Sequence, residues 1–183
     1  MSLAIDTEAQ QLTAADRRER LDQVGGQWVA TIQESPQKAA LVFSATGEGF
    51  GSVATRLSSG KHSYVIDEPA GLGGDDLGAN PVETALGALI ACQVVTYRVW
   101  AHNLGIAVDD VRIAADGDLY VRGFFGLDED TRPGFGDIRL TVTVTGPETP
   151  ERYRELHDAV DAHCPVLDLF SNPTPVSTTL FVG

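Results

Sequence analysis

The sequence predicts an α+β fold. One long, apolar helix signal occupies the middle of the chain. Short stretches with strand character, punctuated by glycine turns, lie on both sides of it. A second, amphipathic helix follows, and no internal repeat links the parts.

The central helix has the clearest ends. Asn80 can cap it, Pro81 suits the first helical position, and Glu83 stands where a capping-box carboxylate reaches back. Ala85 to Cys92 are all apolar or small, which predicts burial on every side. The helix runs through Tyr97 and Trp100 to Leu104, where Gly105 supplies a left-handed stop. At 1.5 Å per residue it spans about 36 Å.

The flanking elements are shorter. Residues 8 to 30 read as an amphipathic helix, with Thr13 as cap and Leu12, Leu21, Val24 and Trp28 on its apolar side, broken at Ser35-Pro36. Strands are expected at Ala39–Ala45, Ser52–Leu57 and His62–Asp67, with turns at Thr46–Gly49 and Ser58–Lys61. Glu68–Ala79 is a glycine-rich loop. It lacks the Lys-Ser/Thr of a P-loop, and Asp75-Asp76 would repel phosphate. Two further strands, Ile106–Ala114 and Leu119–Gly123, are expected around an Asp116-Gly117 turn. Arg139–Thr145 alternates as a half-buried strand, Thr149-Pro150 opens a helix ending near His163, and Val176–Val182 reads as a last strand.

Composition narrows the partners. The 183 residues are 43% hydrophobic, enough for one domain with a core, and 13 basic against 26 acidic residues give a net charge of −13. That charge disfavours nucleic acid and anionic membranes. Met1–Gln11 has no basic start followed by an apolar run, so no secretory signal is expected. The central helix is read as too short, and too interrupted by Gln93, Arg98 and His102, to cross a bilayer. A cytoplasmic location is expected, where two cysteines are chemical groups rather than staples.

Cys92 lies about 18 Å along its helix, beyond the reach of the macrodipole. Apolar packing there would raise its pKa, so a nucleophilic Cys92 needs a cation from elsewhere. Cys164 follows a helix end and precedes Pro165, a place that can move.

Asn80-Pro81-Val82-Glu83 through Ala91-Cys92, followed by His163-Cys164-Pro165-Val166, resembles the OsmC/Ohr family of osmotically induced and organic hydroperoxide resistance proteins. Asp67-Glu68-Pro69, Leu72-Gly73-Gly74 and Arg132-Pro133-Gly134-Phe135 are similar to one branch of it. The resemblance covers residues 39–183 as an OsmC-like domain and leaves 1–38 as an N-terminal helical extension. It implies the OsmC-like fold: β-sheets packed on a long buried central helix, in an intertwined homodimer. It also implies a thiol peroxidase without bound cofactor. Cys92 would attack an organic hydroperoxide, Cys164 would resolve the sulfenic acid as a disulfide, and an external dithiol would reduce it.

Two departures stand out. Active relatives carry an arginine in the first hairpin, and Gly49 stands in that place here. The carboxylate that pairs with it in the Ohr branch falls one position later, at Glu83, about 900° of helix rotation before Cys92 and so on the opposite face. Glu83 could reach only a partner's Cys92, and a cap role competes. Arg56 is the first substitute cation, with Arg132 as another. Arg98 is about 600° beyond Cys92 and off its face. His102, about 15 Å up the helix, is no base for a Cys–His hydrolase. His163 with two cysteines lacks a zinc spacing. The competing expectation is a protein of this fold that binds a small apolar ligand or senses redox state without turnover.

Overall fold

The computed structural model describes residues 12–183. The expected absence of a leader in Met1–Gln11 and the first residues of the helix expected from residue 8 lie outside them. Helix α1, Ala14–Glu34, starts at Thr13 in a capping box with Asp16 and stops before Ser35-Pro36. It buries no residue; Val24, Trp28, Val29 and Ile32 are exposed.

A three-stranded antiparallel sheet follows, ordered β1 (Ala45–Phe50), β2 (Ala54–Ser59), β3 (His62–Ile66). Its first hairpin is displaced from the expected place. Thr46–Gly49 is strand, with Glu48 opposite Arg56, and the turn falls on Gly51, whose φ of +60° suits glycine. Leu41–Phe43, expected as strand, runs outside the sheet, with Val42 93% and Phe43 88% exposed.

The loop after β3 is organised by a carboxylate. Asp67 is fully buried and accepts backbone N–H bonds from Glu68, Asp75 and Leu77 at 2.9, 2.9 and 3.2 Å. Burial works against its charge, but the three donors outweigh it and hold the pKa below the usual carboxylate range. The chain wraps so tightly that a side chain at Gly74 would strike the Glu68 carbonyl.

Helix α2, Pro81–Asn103, has the expected ends: the Asn80–Glu83 capping box, Pro81 in the first turn, and Gly105 at φ +63° after the Leu104 cap. Its burial is one-sided. Leu89, Gln93, Thr96, Tyr97 and Ala101 are buried, whereas Gly87, Ala88, Ala91 and Val95 are exposed. Burial on every side is therefore not reached within one chain. By length and composition α2 could span a bilayer, so the expectation that it is too short needs correction. Its buried side packs against elements that follow it in the chain.

Those elements are β4 (Asp110–Asp118), a short α3 (Val121–Phe124), β5 (Asp137–Thr145), α4 (Pro150–His163) and α5 (Pro165–Ser171). β4 and β5 form an antiparallel ribbon in which Val111 faces Val144 and Ile113 faces Val142. These residues pack with Tyr97, Ala101, Ile106, Leu156 and Val160 into the main core. Asp116-Gly117 is no turn. β4 runs through it because the Phe135 ring lies over Gly117 and leaves no room for a side chain. The expected strand at 119–123 is instead α3. Pro165 ends α4 as expected and, being tolerated at a helix start, opens α5. Val176–Val182 pairs with no strand among the described residues, and Phe181 is 90% exposed. It stays outside both the β1-β2-β3 sheet and the β4-β5 ribbon.

Candidate functional site

Cys92 and Cys164 are distant in sequence and adjacent in space. α2 holds Cys92 in its middle, on the side turned toward the α4–α5 junction. Cys164 occupies that junction as the residue before Pro165 and is 2% exposed. Both thiols are free, and they lie close enough to act on each other.

Burial pushes the Cys92 thiol up from its ordinary pKa. The backbone N–H of Val166 faces it and pulls the other way, while the neighbouring Cys164 thiol adds to the rise. Val166 is in that place for a local reason: Pro165 has no N–H, so the first free donor of α5 belongs to the next residue. Thr96 contributes little, because its hydroxyl proton goes to the Cys92 carbonyl oxygen at 2.8 Å. No cation is among the groups that shift Cys92 in the described chain.

The other predicted residues sit elsewhere. Glu83 accepts from the Asn80 backbone N–H at 3.1 Å, the second half of the capping box. Arg56 lies on β2 with its guanidinium 5.1 Å from the Phe50 ring centre. The sheet that carries Arg56 has at most marginal contact with α2 of its own chain. Arg98 donates to the Val108 carbonyl at 3.1 Å, and the Arg132 carbonyl packs against Gly123. His102 pairs with Asp22 at 3.3 Å. His163 rests against Trp100, with ring centres 4.0 Å apart. Among the described residues, no group of three or more His, Cys, Asp or Glu is placed to hold a metal.

Sequence reasoning missed two features of this region. Gln93, next to Cys92, is completely buried with both amide atoms unpartnered among the described residues. Tyr97 makes a 2.6 Å hydrogen bond with His157 Nδ1, and His157 Nε2 lies 3.7 Å from Asp161. Burial, with a further push from Asp161, raises the Tyr97 pKa to about 12. The i, i+4 spacing of His157 and Asp161 was visible in the sequence; their meeting with Tyr97 was not.

The profile of the OsmC-like protein family matches residues 73–179. That stretch is more than half the chain and contains both cysteines: the chain belongs to the OsmC-like family. Solved structures agree on the fold. An OsmC-like protein from Mycoplasma pneumoniae is 18% identical, with a TM-score of 0.62 over 71% of this chain and 87% of its own. An organic hydroperoxide resistance protein OsmC from Legionella pneumophila is 20% identical, at 0.56 over 72% and 90%. An OsmC-like protein of unknown function from Vibrio cholerae is 12% identical, at 0.53 over 71% and 94%. No curated protein matches the sequence at a significant level.

Proposed function

We propose that this protein is a thiol peroxidase acting on organic hydroperoxides. The observation that carries the reading is the pairing of Cys92, on a rigid helix, with Cys164, at a helix junction. Membership of the OsmC-like family and the hydroperoxide-resistance function in the name of the Legionella relative agree with it. In the reaction, the Cys92 thiolate attacks the outer peroxide oxygen. The O–O bond breaks, an alcohol leaves with a proton, and Cys92 becomes a sulfenic acid. The Cys164 thiol then displaces water from it to form the disulfide, which an external dithiol reduces to two thiols while being oxidised to its own disulfide.

Activation of Cys92 is assigned to a second copy of the chain. The exposed small-residue side of α2, the loosely attached β1–β3 sheet and the exposed segments 41–43 and 176–182 are the surfaces such a homodimer would cover. In that dimer Arg56 of one protomer is the cation for the other's Cys92, and Glu83 faces the same site. A guanidinium favours the thiolate and can orient the peroxide oxygens.

The test is consumption of tert-butyl hydroperoxide with dithiothreitol as reductant, with peptide mapping for a Cys92–Cys164 disulfide. Cys92→Ser abolishes turnover, Arg56→Lys slows it and Arg56→Ala slows it more. Wild-type rates in both Arg56 variants, with activity lost instead in an Arg132 or Arg98 variant, would transfer the role.

The raised pKa of Cys92 favours a second reading, a ligand-binding or redox-sensing protein without turnover. Thiol labelling at pH 7 separates the two. Fast modification of native Cys92 supports the enzyme, and modification only after denaturation supports the binding protein.

A further inference from the structure

Helix α1 meets the end of α2 in a cleft of about 210 Å³ that contains neither cysteine. Arg17, Arg18 and Leu21 line it from α1; Arg98 and Ala101 line it from α2, and Ile106 from the segment beyond. Three arginines thus line one cleft in a protein of net charge −13. Two are fixed by neutral carbonyls rather than by carboxylates. Arg98 donates to Val108 O at 3.1 Å and to Asp109 O at 3.4 Å, and Arg17 donates to Leu12 O at 2.8 Å. Burial, then the charge of Arg17, make the positive charge on Arg98 harder to keep, and Asp110 and Asp109 oppose that.

The junction between the helices is otherwise thin. α1 has no buried residue, and His102–Asp22, 3.3 Å apart, is the one polar side-chain contact joining α1 to α2 among the described residues. Like charges have been brought together with little apolar burial, offset in part by Asp109, which also lines the cleft, and Asp110 beside Arg98 and by Asp16 beside Arg17.

We propose that this cleft binds a small organic oxyanion, a carboxylate on a short apolar group, which fastens α1 to the central helix. The guanidinium forks of Arg17, Arg18 and Arg98 suit a carboxylate, while Leu21, Ala101 and Ile106 receive the apolar part. The cleft is smaller than the roughly 300 Å³ at which drug-sized sites begin, so the ligand is small. The cleft contains neither cysteine, so binding here is read without peroxide turnover.

The experiment uses the full chain at constant ionic strength with benzoate, inorganic phosphate or chloride. Benzoate is expected to slow tryptic cleavage after Arg20 and to raise Tm by about 2–4 °C, with smaller effects from phosphate and chloride. In titration calorimetry, Arg98→Gln weakens benzoate binding about tenfold or more. The Arg17→Gln/Arg18→Gln double variant does the same, and it lies on a helix with no buried residue, so the core still folds. Equal protection by chloride and benzoate, or full protection after Arg20 in the double variant, would overturn the proposal.

Discussion

The two halves of this molecule close themselves to different degrees. From α2 onward, helix and ribbon share a core in which Leu156 and Val160 are fully buried. The half before α2 buries Ala54, Ile66 and Asp67, while Leu41, Val42, Phe43 and Val53 stay exposed. Its strands are paired and its hairpins are regular, so hydrogen bonding is not what it lacks. It lacks a facing apolar layer. Completed ladders and completed cores are separate achievements, and within the described residues this half reaches only the first.

The contrast is tested most strongly in the core. Leu156→Ala removes a fully buried side chain from a packed cluster and should cost about 2–5 kcal/mol. Urea unfolding measures it, and a loss below 1 kcal/mol would show that the core is not shared as described. Phe43→Asp probes the open half. It touches no buried cluster, so its main effect is on assembly: light scattering at micromolar concentration should report a dimer for the native chain and one chain's mass for the variant. A native monomer would remove the explanation offered for the exposed segments.

Much of the fold was legible wherever structure follows local chemistry. Asn80, Pro81 and Glu83 mark the start of α2 and Gly105 its end, because caps and stops depend on neighbours within a turn. The first hairpin was misplaced because Gly47, Gly49 and Gly51 each permit a turn, and only the register with β2 selects Gly51. Gly117 read as a turn because Phe135, which covers it, is remote in sequence. The meeting of Cys92 and Cys164 was legible only through the family pattern; no spacing rule links a mid-helix residue to a junction two helices further on. Gln93 was invisible as a problem, since a glutamine in a helix announces nothing until its burial is known.

That glutamine gives a smaller effect. Gln93→Leu replaces an unpartnered buried amide with an apolar side chain of similar size. It should raise stability by about 1–2 kcal/mol in denaturant unfolding, because an idle buried polar group costs about its desolvation. A loss instead would mean that the amide has a partner in the assembled protein.

The most local effect belongs to Asp67, where the open half is best ordered by polar rather than apolar contacts. Its Oδ1 accepts from the Glu68 N–H and its Oδ2 from those of Asp75 and Leu77. Its folded-state pKa is depressed from an unfolded value of about 3.9. The unfolded chain therefore takes up a proton before the folded one does. The stabilisation is fully present above about pH 5 and is lost as the pH falls through the lower folded pKa. Asp67→Asn should reproduce the acid state at neutral pH, since one acceptor oxygen cannot serve both sides and the amide N–H₂ opposes the remaining donors. Amide hydrogen exchange reads it directly: at Asp75 and Leu77 exchange should quicken in the variant, while Leu156 and Val160 stay protected. Unchanged exchange at Asp75 and Leu77 would mean that the tight wrapping at Gly74 holds the loop without the carboxylate.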